Sequence, residues 1–556
     1  MLSVRSLIAA DAAPAKPNIV LIVTDDQGWW DVSSHGNTTI STPNMDRIAR
    51  EGVEFSRFYV APVCSLTRAA LMTGRYPLRT GVIDTRNGGD TLSTSEVTLA
   101  QSLRDNGYAT GIFGKWHLGR YMENHPLARG FEQFVGFWKY GHVERYDYPD
   151  RLWHNREEVE SRIRITTVLT DAAIDFIETQ KQPFFCYVPY NVPHAPFHAT
   201  DELLTKYLKK GVPLRDASIY ALVEECDTQI GRILKAIDDR KLRDNTIVIF
   251  MSDNGGISKH FTAEIRGNKG GVLEGGVLSP FFVRYPGHFP AGAKVPAMAS
   301  VIDLFPTLAD ATGSKLPTDR PIDGKSLLPL LKAGKGDSPH KYLYHTWNRS
   351  AANPNRNWAI CTPQYKLTDG RLYDLLSDPG EKSDLAKQHP EMVQQLRAEF
   401  IRWMNEVSEG QSFQRPAIPV GSKEENPVEI QASWAVTHGK DTKYTFYAYD
   451  WDAIEGWNQP GDAITFKLKV AKPGKYVVRI SYGASRGAEG AKYKVSAGDS
   501  SITAKVEATP SKDLLIQRDI GTLTLPAGET VLRIEATDLP GKEFMSFNRL
   551  WLERVE

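Results

Sequence analysis

The 556-residue sequence has no surplus of either charge: 67 Lys+Arg stand against 67 Asp+Glu. That balance offers no electrostatic footprint for nucleic acid or an anionic membrane surface. No apolar run approaches the roughly 18 residues that cross a bilayer as a helix, so no membrane span is expected. Cysteine is scarce. Cys64, Cys186, Cys226 and Cys361 are the four, with no CxxC spacing, which argues against a disulfide-stapled scaffold and a thiolate zinc site. Internal repeats and low-complexity tracts are missing too. What is there is ordinary globular composition, with 41% hydrophobic and 24% charged residues. The length exceeds what one hydrophobic core serves, so two or three domains are expected.

Two readings stay open for residues 1–16, the stub of a secretory signal or a frayed terminus. Residues 17–337 alternate apolar strand-like runs with helical patterns, the mark of an α/β domain with a mostly parallel central sheet flanked by helices. Four runs are continuously apolar, as strands buried on both faces are: 18–24, 108–113, 184–188 and 246–251. Residues 338–407 read as a small α+β subdomain ending in a helix over 390–407, and 408–428 as a linker. In 429–556 apolar and polar residues alternate between turn signals, which predicts an appended all-β sandwich.

Each of the four buried runs is followed at once by polar residues. Asp25 and Asp26 follow the first, Lys115 and His117 the second, Asn191 and His194 the third, Asp253 and Asn254 the fourth. Ligands of open parallel sheets bind at the carboxyl ends of strands, so parallel runs would bring these residues to one place. Alone, an Asp-Asp pair is a helix cap or turn, and Asp253-Asn254-Gly255-Gly256 is a turn. Repetition over four strand ends is what points to a site. Asp25, Asp26, Asp253 and Asn254 are hard oxygen donors, which favours Ca²⁺, or Mg²⁺, over zinc. Cys64 would begin a short helix stopped at Gly74, with Arg68 one turn on. The bland alternative for Cys64 is a buried structural thiol.

Taken together, Cys64-Ser65-Leu66-Thr67-Arg68, the segment 17–28, Gly114-Lys115-Trp116-His117-Leu118-Gly119, Ser252–Gly256, Gly267-Asn268-Lys269-Gly270 and Leu372-Tyr373-Asp374-Leu375 resemble the type I, formylglycine-dependent sulfatases of the alkaline phosphatase superfamily. The resemblance covers residues 17–407. It implies that Cys64 is oxidised to formylglycine by a formylglycine-generating enzyme, and that Asp25, Asp26, Asp253 and Asn254 bind a metal with the modified Cys64. It further implies that Arg68 holds the formylglycine hydroxyl and that Lys115 and Lys269 bind sulfate oxygens. His194 would protonate the leaving alcohol, and His117 would take the proton of the second hydroxyl. The substrate expected is a sulfate ester of a carbohydrate, and the location periplasmic or secreted. One position departs from the family: Leu66 stands where the motif carries Pro or Ala, which bears on how well Cys64 is converted. A phosphodiesterase or phosphonate monoester hydrolase on the same fold, and a non-catalytic glycan binder with unconverted Cys64, remain the alternatives. The loop 137–159, with Trp138, Tyr140, His142, Arg145, Tyr146, Tyr148, Arg151, Trp153 and His154, reads as a carbohydrate pocket lip or as an aromatic-stapled surface loop.

Overall fold

A computed structural model describes residues 16–555 apart from 140, 150, 350–352, 412, 448–450 and 542. The signal-stub reading therefore falls outside the described residues, as does Tyr140. The chain forms two compact units. The second takes Ser412–Glu556 together with two short segments, Asp84–Thr91 and Gly119–His125, and the rest makes the first.

The first unit is built on a mixed sheet. Its strands are β1 (Asn18–Asp25), β2 (Val53–Tyr59), β3 (Ala109–Lys115), β4 (Gln133–Phe137), β5 (Leu152–His154), β6 (Glu157–Val159), β7 (Phe184–Pro193), β8 (Thr246–Ser252), β9 (Leu278–Ser279), β10 (Phe281–Arg284) and β11 (Ala293–Ser300). They lie in the order β11-β2-β10-β8-β1-β7-β3-β4-β5-β6, with β9 beside β2. The four apolar runs are its centre. β8, β1, β7 and β3 are adjacent and mutually parallel, so all four carboxyl ends point the same way. β10 runs antiparallel between β2 and β8, so the sheet is parallel at its centre and mixed toward its edges.

Every residue of β1, β3, β7 and β8 is buried. The cause is the helical cover. Helix α1 (Pro43–Arg50), α2 (Cys64–Thr73), α3 (Leu99–Asp105), α4 (Ile165–Thr179), α5 (Asp201–Lys209) and α6 (Leu214–Asp239) follow in the chain. On one face Ile219, Leu222, Cys226, Ile230 and Ile233 of α6 join Val20, Ile22, Val188 and Val248 in a single core. With both faces dry, polar side chains are left only the strand ends.

After the sheet come four short antiparallel strands, Leu343–Thr346, Trp358–Cys361, Tyr365–Thr368 and Arg371–Asp374. The helix Pro390–Ser408 packs on them, with Phe400 4.5 Å from the Trp358 ring and Trp403 stacked 4.4 Å from Tyr344.

The second unit is two β-sheets. One is ordered Ile418–Val420, Ala463–Val470, Gly528–Asp538, Lys492–Ala497, Ser500–Lys505; the other Lys443–Thr445, Ala453–Glu455, Ser546–Arg554, Gly474–Gly483, Ile516–Leu525. Ile464, Phe466 and Leu532 of the first share one apolar core with Val478, Ile480 and Leu550 of the second. Ile418–Val420, inside the stretch expected to be a linker, pairs in parallel with Ala463–Val470.

Candidate active site

Strand β1 ends in Asp25, and the chain turns sharply at Asp26, which holds a left-handed backbone (φ 75°). The turn is stapled to its neighbour: the Asp26 N–H donates to Asp253 Oδ1 at 3.3 Å, and Asn254 Nδ2 donates to Asp26 Oδ1 at 2.9 Å. The tips of β1 and β8, 227 residues apart in sequence, are thereby one structure. The cause is register, since Thr24 pairs with Ser252 in the parallel ladder.

The Cys64 helix lies beside them. Val63, the residue before it, is extended, Cys64 is the first helical residue, and Gly74 ends the helix. All ten residues of α2 are buried. Arg68, one turn on, donates from Nε and Nη2 to Asp253 Oδ2 at 3.0 and 2.7 Å, and from Nη1 to the Lys115 carbonyl at 2.7 Å. Lys115, at the tip of β3, donates to Asp25 Oδ2 at 2.7 Å. His117 also sits in left-handed backbone (φ 61°), and its Nδ1 lies 3.4 Å from Cys64 Sγ. Lys269 pairs with Asp26 Oδ1 at 2.5 Å, and His194 Nε2 lies 3.9 Å from Asp26 Oδ2. The structure thus brings all ten candidate residues into one cluster. Lys115, Asp25 and Asp253 are sealed from solvent, whereas His194 and Lys269 keep about a fifth of their side chains exposed (20% and 23%) and so form its mouth.

Leu66 faces elsewhere. It lines an apolar cavity of about 40 Å³ with Val60, Tyr76, Val301 and Trp403, so the third position of the motif packs the back of the helix.

The electrostatics result from this crowding. Burial by itself would raise the Asp25 pKa; Lys115, then His194, Lys269 and Arg68, outweigh it and hold the carboxyl well below the usual range. Burial and then the Asp25 charge push Asp253 well above it, against the pull of Arg68. Lys115 and Lys269 are raised: burial opposes their charge, but Asp25 and Asp26 respectively outweigh it. Burial lowers His194, and the carboxylates Asp25 and Asp26 partly restore it.

The donor set fits a hard divalent cation. Ligand atoms of Asp25, Cys64 and Asp253 lie within 4.8 Å of one another, as do those of Asp25, Asp26 and His194. Asp25 Oδ1 and Asn254 Oδ1 are buried with no hydrogen-bond partner. Two orphaned oxygens in a dry acidic pocket are costly unless a cation takes them up.

Motif reading did not tie two further residues to the site. His142 lies 6.2 Å from the His194 ring, and burial with the nearby cations His194 and Arg151 pushes it down to about 3. Its neighbour Gly141 packs on His117: a Cβ there would come 2.5 Å from Nε2 of His117. Tyr146 is fully buried and donates to the carbonyls of Asn191 and His194 at 2.8 and 2.7 Å, fixing the backbone that carries His194. Composition marked this loop, but no spacing could say which of its rings turn inward. Trp138 and Tyr146 are buried staples, whereas Tyr148 is 52% exposed.

Known proteins agree with this geometry. The sulfatase family model matches residues 17–314, and that of the N-sulphoglucosamine sulphohydrolase C-terminal region matches residues 268–409. Human N-acetylgalactosamine-6-sulfatase is 34% identical over 445 residues, spanning 68% of this chain and 83% of that protein. Human arylsulfatase H is 30% identical over 432 residues, spanning 60% of this chain and 75% of that one. The crystal structure of Ps i-CgsB in complex with k-i-k-neocarrahexaose superposes with a TM-score of 0.66 at 31% identity, covering 72% of this chain and 95% of that one. Buried strand ends, a cysteine-led helix and a family model spanning more than half of the sequence lead to one conclusion: the chain belongs to the sulfatase family, within the alkaline phosphatase superfamily.

Proposed function

We propose that the chain hydrolyses sulfate esters of a sulfated carbohydrate, with Cys64 converted to formylglycine and with Ca²⁺, or Mg²⁺ in its place, held by Asp25, Asp26, Asp253, Asn254 and residue 64. The observation that carries this reading is the meeting of four acidic or amide residues, at two strand tips, with the start of the Cys64 helix, ringed by Arg68, Lys115 and Lys269. When bound, the cation neutralises the carboxylates and acidifies a hydroxyl beside it. Residue 64, once oxidised and hydrated, would supply two hydroxyls there, one to displace the sugar alcohol from sulfur and one whose proton loss would free sulfate without leaving a covalent ester.

The chain's own groups have separate tasks. Arg68 is locked by Asp253 and by the Lys115 carbonyl, and it orients residue 64. Lys115 and Lys269, both held protonated by neighbouring carboxylates, offer fixed positive charge to sulfuryl oxygens as charge spreads over them. His117, within reach of Sγ, takes the proton of the second hydroxyl. His194 stands at the exposed mouth, where a leaving alcohol exits, and arrival of an anionic ester favours its imidazolium form. The sulfated-sugar assignment is supported by a relative named N-acetylgalactosamine-6-sulfatase and a structural neighbour solved with a neocarrahexaose. Export to the periplasm or medium, and maturation by a formylglycine-generating enzyme, accompany the family reading.

Mass spectrometry of the tryptic peptide Phe58–Arg68 tests conversion. A thiol throughout would leave a glycan binder in place of an enzyme. Turnover of an aryl sulfate is then compared with aryl phosphonate and phosphodiester analogues. Preference for phosphorus would replace the substrate class.

A further inference from the structure

The motif Leu372-Tyr373-Asp374-Leu375 and the strands around it lie outside the catalytic cluster, yet they end in a second set of buried charges. Lys366, on the strand Tyr365–Thr368, is fully buried. Its ammonium meets Glu274 Oε1 at 2.9 Å and Glu381 Oε1 at 3.0 Å. Glu381, just past the motif and held in left-handed backbone (φ 53°), accepts the Glu274 N–H through Oε2 at 2.7 Å. Tyr59 donates its hydroxyl to Glu274 Oε2 at 3.0 Å, and Arg266 donates to the Glu381 carbonyl. Burial opposes the Lys366 charge, but Glu274 and Glu381 outweigh it and hold the amine protonated.

These charges grip one segment, residues 266–277. Its two ends are tied by Gly275 N–H to the Arg266 carbonyl at 2.7 Å. Between them, the segment reaches both halves of the site. Lys269 N–H donates to the Gly256 carbonyl, two residues past Asn254, and Gly270 N–H donates to the Pro62 carbonyl, two residues before Cys64. Gly255 N–H donates to the Gly276 carbonyl, and a Cβ on Gly255 would come 2.0 Å from the Gly275 carbonyl oxygen, so bare backbone packs on bare backbone. Backbone packed this closely transmits displacement.

We infer that the buried Lys366–Glu274–Glu381 triad is a positioning device for Lys269: through it the C-terminal subdomain sets where the sulfate-binding ammonium stands relative to Asn254 and Cys64. The inference rests on the reading of Lys269 as a sulfate ligand. Lys366, Glu274 and Glu381 do not touch substrate. They hold the segment that does, and a displacement of a fraction of an ångström at a charged contact costs affinity in the reacting state.

The test is a double-mutant cycle on the matured, metal-loaded enzyme, reading Ki of inorganic sulfate, KM and kcat for an aryl sulfate, and thermal midpoint. Lys366→Met is expected to raise the sulfate Ki about tenfold in the wild-type background and to add less than about twofold once Lys269→Ala is present. The same tenfold rise in both backgrounds, or a lowered midpoint with unchanged Ki, overturns the positioning role. If Lys269→Ala alone leaves Ki unchanged, Lys269 is no sulfate ligand and both readings fall together; a raised Ki without coupling to Lys366 removes the triad alone. Should Lys366→Met not fold, Glu381→Gln, which keeps the side chain's shape, takes its place in the same cycle, with coupling expected at about threefold.

Discussion

Strand Asn18–Asp25 is buried at all eight positions, whereas Ala463–Val470 alternates between buried and open positions toward its end. Both are strands of similar length, and the difference lies in what covers them. At its centre the catalytic sheet is dry on both faces, so charge is expelled to the tips of those four strands, and parallel pairing of neighbours gathers the tips. The sandwich strands keep one wet face, so Lys467 and Lys469 project along their length. Two-sided burial concentrates chemistry, and one-sided burial disperses it.

The sharpest way to break that contrast is at the tips. Cys64→Ala should cost on the order of a millionfold in turnover, the scale of losing a nucleophile, with the thermal midpoint nearly unchanged. Residual turnover near wild type would mean that the gathered tips are not the site. His194→Ala should slow esters with poor leaving groups about 10²–10⁴-fold and good ones far less; equal slowing across a leaving-group series removes it as the acid. In the sandwich the same size of change should act on stability alone. Phe466→Ala empties a position that is 1% exposed and should cost about 3–5 kcal/mol in denaturant unfolding while kcat stays put. A fall in kcat at full folding would show that the sandwich shares in the chemistry.

Acid sharpens the comparison further. Burial pushes His345, on the strand Leu343–Thr346, down from 6.5 to about 3. The unfolded chain takes up this proton near the ordinary value and the folded chain resists it, so the first unit loses stability as pH falls through that window. His345→Gln should flatten the acid limb of urea midpoints between about pH 4 and 7; an unchanged slope assigns the acid limb to other groups. Smallest of all, Lys469→Ala on the wet face should stay within about 0.5 kcal/mol.

The strand runs were legible because two-sided burial writes a continuous apolar word, and the polar residues after each word were legible with it. Short strands such as β10, the strands Lys492–Ala497 and Ser500–Lys505, and the outlying segments Asp84–Thr91 and Gly119–His125 were not, because short or half-wet pieces carry little pattern of their own. His142 and Tyr146 were visible as loop residues but not as neighbours of His194, since a ring's direction in a loop depends on what packs behind it. Lys366 and Glu381 left no signal. A lysine on an alternating strand and a glutamate in a turn read as solvated until the fold buries them against Glu274.

By itself the sequence determined which strands are dry on both faces, and therefore which residues sit at their ends, because an apolar run and the polar residues directly after it are local properties of the chain. Only the tertiary structure decided that the tips carrying Asp25 and Asp253 are stapled together, that Leu66 faces away from residue 64, and that Lys366 is buried between Glu274 and Glu381. Those depend on parallel register and on close approach of distant backbone, which no local pattern encodes.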